Sequence, residues 1–436
     1  MFKIAIIADD LTGASDSGVQ FARKGIETHV IFDMNLFSDA SNENVVIVVD
    51  TDSRAIKTED AYGRVKETVS KLHNYGFDFI YKKIDSTLRG NLGYEIDAIL
   101  DSTSFDYSIV VPAFPKLGRT TVEGVQYLNH VPVSETEVGR DPRTPVKESN
   151  VVKLLSLQTN RKCTLIKLDI VRGGSDNIIK KISEERAHGN EIFIFDAETE
   201  EDLEIIAASQ SHYDPSRILW VGSAGLAEFI PKYFGFPDVL PEVMNISPTK
   251  NPVILVSGSL SQLTSNQVNR FNKLPQVAQV ELNVLDIIQS DKKKADEIKR
   301  CFDEVSIATK EGKDISLYTC SLPEYIVATK LSGKELGLDG MEVSNQISNA
   351  LGEIMSKILK EIPLAGMILT GGDTAKAVCK WSEICGISLI NEIEPGIPLG
   401  KPINKFDMYV VTKAGAFGKY DSLINALKML KGGVSI

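Results

Sequence analysis

The first fifteen residues constrain the fold of this chain more than any other stretch. Ile4 to Ala8 are an unbroken apolar run, which is typical of a strand buried on both faces of a parallel sheet. The run ends at Asp9 and Asp10, and small residues then lead into a helical pattern. Ligands of open parallel sheets bind where strands end, so paired carboxylates at this point predict a polar ligand or a cation. The alternative is that one aspartate only caps the helix, for which a single carboxylate suffices.

Apolar runs and amphipathic segments continue to alternate along both halves of the chain. This alternation predicts the α/β class, with mostly parallel, doubly wound sheets flanked by helices. A chain of 436 residues exceeds one ordinary core and predicts two such domains. The alternation breaks at 112–149, where we expect a hairpin over 118–128 and a long charged loop over 135–145, both inserted in the first domain.

A stretch rich in proline and poor in periodicity marks the predicted domain boundary. We expect a first domain at 1–240, a linker at 241–251 and a second domain at 252–436. Packing of the last helix back on the first domain is left open.

Composition excludes several classes of function. The net charge of −11 argues against a nucleic-acid surface, and no apolar run approaches the length of a membrane span. Five cysteines without C-x-x-C spacing predict reduced thiols and a cytoplasmic protein. The five histidines show no zinc-site spacing. A homodimer is left open.

Three glycine-containing turns follow predicted strands in the second half. They are Ser257-Gly258-Ser259, Thr370-Gly371-Gly372-Asp373-Thr374 and Ala414-Gly415-Ala416-Phe417-Gly418. Glycine lets the backbone approach a phosphate, and the first amides of a following helix point at the anion. Together the turns predict a phosphate-bearing ligand. Neither the P-loop pattern nor a dinucleotide fingerprint is present.

Charged side chains gather at predicted strand ends in the first half. Four of them are basic and three are acidic: Arg54, Lys82, Lys83 and Arg89, with Asp9, Asp10 and Asp85. Basic groups can bind a carboxylate, and carboxylates can hold sugar hydroxyls or accept a proton. Their proximity depends on the strand order.

With these motifs the chain resembles the four-carbon acid sugar kinase family over nearly its whole length. The resemblance rests on Ala8–Ala14 with Asp16, Asp50–Arg54, Lys82–Asn91, Val221–Gly225, Ser257–Ser259, Thr370–Thr374 and Ala414–Gly418. Within the family, the Lys82–Asn91 and Thr51–Arg54 forms look more like D-threonate and D-erythronate kinases than 3-oxo-tetronate kinases.

The resemblance implies an ATP-dependent, magnesium-assisted kinase that phosphorylates the 4-hydroxyl of a four-carbon sugar acid. The first domain would bind the acid and the second the nucleotide. The implied substrate residues are Asp9, Arg54, Lys82, Lys83, Ile84 and Asp85. The implied ATP residues are Ser257, Ser259, Gly371, Gly372, Asp373, Thr374 and Gly415.

We expect Arg54 and either Lys82 or Lys83 to hold the substrate carboxylate across an interdomain cleft from ATP. Asp373 is the favoured proton acceptor, with Asp10 and Asp85 as alternatives; the magnesium ligands are not assigned. D-threonate is the expected substrate, and D-erythronate, L-threonate and 3-oxo-tetronates are alternatives. A phosphatase would require D-x-D-x-[TV], and Asp9-Asp10-Leu11-Thr12 is one residue short of it. A sugar-acid sensor would leave the glycine turns without a role.

Overall fold

A computed structural model describes residues 3–35, 45–77, 79–141, 143–211, 213–236, 246–403, 405–415 and 417–433. The chain separates into two compact units, Met1–Pro241 and Glu242–Ile436. Part of the predicted linker, 241–245, lies outside the described residues.

The first unit has a doubly wound sheet of eight parallel strands. Its strands are β1 Lys3–Ala8, β2 Glu27–Ile31, β3 Val45–Asp50, β4 Phe79–Lys83, β5 Tyr107–Val111, β6 Arg119–Val122, β7 Val125–Leu128, β8 Val131–Pro132, β9 Cys163–Ile166, β10 Ile192–Phe195 and β11 Ile218–Gly222. Its helices are α1 Leu11–Ala22, α2 Thr58–Asn74, α3 Leu92–Leu100, α4 Val151–Ser156, α5 Leu168–Arg172, α6 Ser175–Ala187, α7 Glu200–Ser209, α8 Ala224–Ala227 and α9 Ile230–Tyr233. The parallel order is β2-β3-β1-β4-β11-β5-β10-β9.

The apolar runs form strands because helices cover the sheet and exclude water from it. Ile4 to Ala8 have no exposed surface, as the unbroken pattern predicted. At Asp10 the chain turns into α1, and the Asp10 carboxylate accepts a hydrogen bond from the Gly13 amide at 2.8 Å. Asp10 therefore does cap the helix.

The predicted hairpin is present as β6 and β7, and β8 extends it into a three-stranded antiparallel sheet. The turn of the hairpin, Glu123-Gly124, has positive φ at both residues, which is typical of tight two-residue hairpin turns. The charged loop that follows contains two short 3-10 helices, Val133–Glu135 and Glu137–Arg140.

The second unit has a mostly parallel sheet of seven strands. Its strands are β12 Val253–Ser257, β13 Val277–Leu282, β14 Asp314–Thr319, β15 Gly366–Thr370, β16 Gly386–Glu394, β17 Ile397–Pro402 and β18 Tyr409–Lys413. Its helices are α10 Gln262–Phe271, α11 Val284–Gln289, α12 Asp291–Lys310, α13 Pro323–Glu335, α14 Gly340–Glu361, α15 Gly372–Trp381 and α16 Ser422–Leu430. The order is β13-β14-β12-β15-β18-β17-β16, with β17 antiparallel to both neighbours.

Three elements of this unit were not anticipated: the short helix α11, helix α13 and strand β17. Strand β17 contains Pro398, Gly400 and Pro402, residues that usually count against a strand. Helix α13 buries only Gly333, so it lacks the apolar stripe from which a helix is recognised. The last helix, α16, packs on α10, β15 and β16 of its own unit.

Among the residues that the structure describes, no helix has both the length and the apolar character that crossing a bilayer requires.

Candidate active site

The first candidate site lies at the carboxyl ends of β3, β1 and β4. Ala8 is in register with Asp50 on one side and with Lys83 on the other, so the polar segments that follow these strands are neighbours. The chain leaves β1 towards β3 and later returns to β4 on the opposite side. This reversal creates the crevice in which doubly wound sheets bind ligands.

Arg54 joins the two carboxylates that follow β1. Its Nε and Nη2 donate to Asp9 at 2.7 and 2.8 Å, and its Nη1 and Nη2 donate to Asp10, both at 2.7 Å. Burial alone would raise the pKa of Asp9, but Arg54, with Lys82 and Lys83, holds it below the usual value. Asp9 is therefore a stable carboxylate, and four guanidinium hydrogen bonds of Arg54 are already used within the cluster.

This geometry differs from the role expected of Arg54. A bidentate grip on a substrate carboxylate would require the guanidinium to leave Asp9 or Asp10. The observed contacts instead make Arg54 the residue that fixes the two aspartates in place.

The two neighbouring lysines of β4 have different environments. Lys82 has no exposed surface; its Nζ lies 2.6 Å from Glu95 Oε2 and donates to the Ile7 carbonyl at 3.2 Å. The Lys83 Nζ lies beside the backbone of Gly13, in the first turn of α1: a Cβ added to Gly13 would be 2.8 Å from it. The described residues offer that Lys83 ammonium no hydrogen bond or ion pair. Lys83, and not Lys82, thus has an ammonium available for a ligand.

Asp85 is held by the loop after β4. Arg89 Nε donates to it at 2.7 Å, and the Thr87 hydroxyl donates to the same oxygen. Burial alone would raise the pKa of Asp85, but Arg89 and Arg54 hold it far below the usual value. Such a carboxylate is a poor proton acceptor near neutral pH. Ile84 is buried, and its amide donates to the Gly222 carbonyl at 2.9 Å.

The hairpin contributes two residues that the sequence did not single out. Gln126 donates to the Ser86 carbonyl at 2.7 Å and so fixes the Asp85 loop. Arg119 interacts electrostatically with Asp85 and Arg89. Its buried Nε has no hydrogen-bond partner in the described part of the chain. Burial lowers the pKa of Arg119, and the positive charge of Arg89 lowers it further. The only signal in the sequence was that Arg119 is a basic residue at the start of the hairpin that follows β5.

In the second unit the glycine turns follow adjacent strands. Ser257 is in register with Thr370, and Thr370 with Lys413, so all three turns lie side by side at the carboxyl ends of neighbouring parallel strands. A Cβ on Gly258 would lie 2.7 Å from Thr374 Oγ1, and one on Gly415 would lie 2.8 Å from Ser259 Oγ. Glycine is therefore required at both positions for the turns to approach each other.

Helix α15 begins inside this group of turns. Gly371 precedes it with a φ of +101°, and its amide donates to the Lys413 carbonyl at 2.9 Å. The amides of the first turn of a helix have no partner within it, and the helix dipole favours an anion there. Asp373 is exposed in this first turn, whereas Thr374 is buried.

An apolar cavity of about 400 Å³ opens beside Gly258. Its walls come from α11, α13, α14 and the end of β14 and include Leu260, Val284, Cys320, Ile326, Val343 and Ile347. These residues are dispersed in sequence, so no motif pointed to the cavity. Its volume is in the range of small-molecule sites.

No group of three or more histidine, cysteine or acidic side chains in the described segments could hold a metal ion. Magnesium is commonly bound by one or two carboxylates together with substrate phosphates, so the residues present are compatible with magnesium that arrives with a nucleotide.

The fold and its two sites define a protein with one domain for a polar small molecule and another for a phosphate-bearing ligand. The family of sugar-binding N-terminal domains matches residues 4–230, and the family of nucleotide-binding C-terminal domains matches residues 254–423. The chain belongs to the four-carbon acid sugar kinase family, whose members phosphorylate four-carbon acid sugars.

Relatives of known function align along the whole chain. A D-threonate kinase of Salmonella typhimurium is 31% identical over 98% of this chain and 97% of its own length. A D-erythronate kinase of Heliobacterium modesticaldum is 30% identical over 99% of this chain and 97% of its own length. A Haemophilus influenzae protein of known structure shares the fold, with a TM-score of 0.78 and 24% identity over 98% of this chain and 100% of the other.

Proposed function

We propose that this chain is an ATP-dependent D-threonate kinase that forms 4-phospho-D-threonate. The observation that carries the proposal is the ammonium of Lys83, which has no partner among the described residues and lies next to the Asp9–Asp10–Arg54 cluster at the switch point of a sugar-binding domain. An anionic sugar needs a cation for its carboxylate and fixed acceptors for its hydroxyls, and this site offers both. The D-threonate kinase of Salmonella typhimurium, 31% identical to this chain, adds support from sequence.

In this proposal Lys83 binds the substrate carboxylate and Arg119 assists it from the hairpin. The buried Arg119 Nε has no hydrogen-bond partner among the residues that the structure describes and can donate to an anion. Asp9 and Asp10 accept hydrogen bonds from substrate hydroxyls while Arg54 holds both carboxylates in place. Lys82 and Ile84 act from within the core, as supports of the strand end.

The second unit binds ATP in the proposal. The turns at Ser257–Ser259, Gly371–Thr374 and Gly415 supply the phosphate site, and the apolar cavity beside Gly258 takes the adenine ring. An aromatic base fits such a cavity because the apolar walls remove its faces from water.

Asp373 is the proposed proton acceptor. The 4-hydroxyl oxygen bonds to the γ-phosphorus, the bond to the β-phosphate oxygen breaks, and the hydroxyl proton passes to the Asp373 carboxylate. Its place in the first turn of α15 puts it beside the proposed phosphate site. Magnesium bound by the nucleotide phosphates would neutralise charge that develops during transfer.

The test is ADP release from the purified chain with D-threonate, D-erythronate, L-threonate, L-erythronate and a 3-oxo-tetronate. D-threonate should give the highest kcat/KM, and the product should carry phosphate on O4 by phosphorus NMR. A preference for D-erythronate or another tetronate would contradict the substrate assignment while keeping the reaction class. Release of phosphate without acid-dependent ADP would indicate a phosphatase, and binding without turnover would indicate a sensor.

We place this reaction in the cytoplasm, because the five cysteines, all within the described residues, form no disulfide, as is usual in a reducing compartment. A homodimer is compatible with the proposal, which does not depend on it.

A further inference from the structure

Lys413, the last residue of β18, has an ammonium group enclosed by uncharged oxygen atoms. Its Nζ donates to Thr264 Oγ1 at 2.9 Å, to the Ala414 carbonyl at 2.8 Å and to the Phe417 carbonyl at 3.2 Å. Only 3% of the residue is exposed, and no carboxylate in the described part of the chain forms an ion pair with it. A buried cation without a counter-ion is unfavourable, so this lysine requires an explanation.

The ammonium lies inside the third glycine turn and orients it. The Thr264 hydroxyl also donates to the Gly415 carbonyl at 2.7 Å, and Gln267 donates to the Phe417 carbonyl at 3.3 Å. Three carbonyls of the turn therefore point towards Lys413. In a trans peptide the amide points opposite to the carbonyl, so the amides of Gly415 and Gly418 point away from it. Gly415 faces Ser259, which belongs to the proposed phosphate site.

We propose that Lys413 is a positioning residue for the nucleotide phosphates: it holds the turn after β18 with the amides of Gly415 and Gly418 outward, and the bound phosphate becomes its counter-ion. This inference rests on the nucleotide-binding part of the proposed function. Lys413 acts through the turn and from behind it, so it differs from a lysine that contacts phosphate directly.

The described groups around Lys413 leave its charge uncompensated. Helix α10 presents Thr264 and Gln267, and β15 presents Thr370 in register with it. A carboxylate of β16 that reaches the turn, Glu394, is engaged by the Ser422 hydroxyl at 2.6 Å, by Asn425 at 3.0 Å and by the Lys419 amide at 3.4 Å. A phosphate would therefore be the first anion available to Lys413.

Burial lowers the pKa of Lys413 to about 8, so the ammonium is charged below that pH and neutral above it. A nearby phosphate favours the charged form and raises this pKa. Nucleotide binding near pH 8 should therefore take up a proton, and affinity should fall as the pH rises from about 7 to about 9.

The experiment is calorimetric titration of the full chain with MgADP at about pH 8 in two buffers of different ionisation enthalpy. The wild-type chain should take up a fraction of a proton, because burial leaves Lys413 partly neutral near this pH before binding. Lys413→Met should take up none and bind MgADP at least about tenfold more weakly. Lys413→Arg stays charged, so its affinity should remain constant between about pH 7 and 9.

A second variant separates charge from loop geometry if Lys413→Met fails to fold. Thr264→Val removes the hydroxyl between Lys413 and Gly415 but keeps the ammonium. It should weaken MgADP binding and retain proton uptake. Proton-neutral binding by the wild-type chain, or wild-type affinity in Lys413→Met or Thr264→Val, would overturn the inference. A chain that binds MgADP with proton uptake but phosphorylates no tetronate would contradict the proposed function alone; absence of MgADP binding would overturn both.

Discussion

Lys82 and Glu95 form an ion pair inside the first unit, with Nζ 2.6 Å from Oε2 and almost no exposed surface on either side chain. The pair lies close enough to Asp9 to influence its charge. Burial raises the pKa of Glu95, and the Lys82 ammonium opposes that rise and favours the charged carboxylate. The pair therefore supports the end of β4 next to the candidate site.

Removing one partner of this pair should cost more stability than removing both. Lys82→Met leaves the Glu95 carboxylate buried without a counter-charge, and we expect a loss of about 3–5 kcal/mol in the free energy of unfolding. The double variant Lys82→Met/Glu95→Leu should recover most of it. Urea unfolding of the three proteins measures the difference; a double variant no more stable than Lys82→Met would contradict the prediction.

Arg54→Ala should impair use of the sugar acid and leave nucleotide binding unchanged. The variant loses four hydrogen bonds that hold Asp9 and Asp10, so kcat/KM for the acid should fall at least about 100-fold. The dissociation constant of MgADP should remain within about twofold, because Arg54 belongs to the sugar-binding domain. Arg64→Ala is the matched control: Arg64 is half-exposed, donates to the carbonyl of Asp52 in the same loop, and should tolerate the change. Equal losses in both variants would argue against a specific role for Arg54.

Gly371→Ala should weaken MgADP binding beyond what backbone strain explains. Gly371 has a φ of +101° and lies within 4 Å of Thr374 and Ser259 once a Cβ is added. Gly312→Ala is the control, because Gly312 has a φ of +75° and open space around it. Both variants should lose about 1 kcal/mol of stability, and only Gly371→Ala should raise the dissociation constant of MgADP. Calorimetry combined with thermal unfolding separates the two effects.

Asp373→Asn tests the proposed proton acceptor. It should lower kcat at least about 100-fold and change the KM for ATP much less, because the amide cannot accept the hydroxyl proton. Asp291→Asn, in the first turn of α12, removes a similarly placed charge from another helix and should leave kcat unchanged. If Asp373→Asn retained near wild-type kcat, the assignment would be wrong.

Asp196 predicts a pH dependence of stability. It accepts the Gly124 amide at 2.8 Å and the Glu123 amide at 3.0 Å, and burial raises its pKa from 3.8 to about 6. The folded state binds more protons than the unfolded state between these values, so this contribution is full below about pH 4 and is lost as the pH rises through 6. Asp196→Asn should gain stability relative to wild type over that interval, by at most about 3 kcal/mol. A wild-type-minus-variant difference that is independent of pH would contradict this.

Much of the fold was predictable because strands in a covered parallel sheet must be apolar on both faces. β1 and β3 followed directly from unbroken apolar runs, and polar residues at their ends marked the candidate site. β17 and α13 escaped prediction because prolines interrupt the first and the second lacks an apolar stripe. The apolar cavity escaped it because its walls are dispersed in sequence.

The sequence by itself determined the α/β class, the family, and the short segments in which the site residues occur, because these depend on local periodicity and contiguous motifs. Only the tertiary structure decided which charged residues are paired. Lys82 and Lys83 are adjacent and chemically identical. Lys82 forms an ion pair with Glu95, whereas the Lys83 ammonium has no partner among the described residues. Neighbouring residues of a strand point to opposite faces, so the partner of each lysine depends on distant segments that folding brings together.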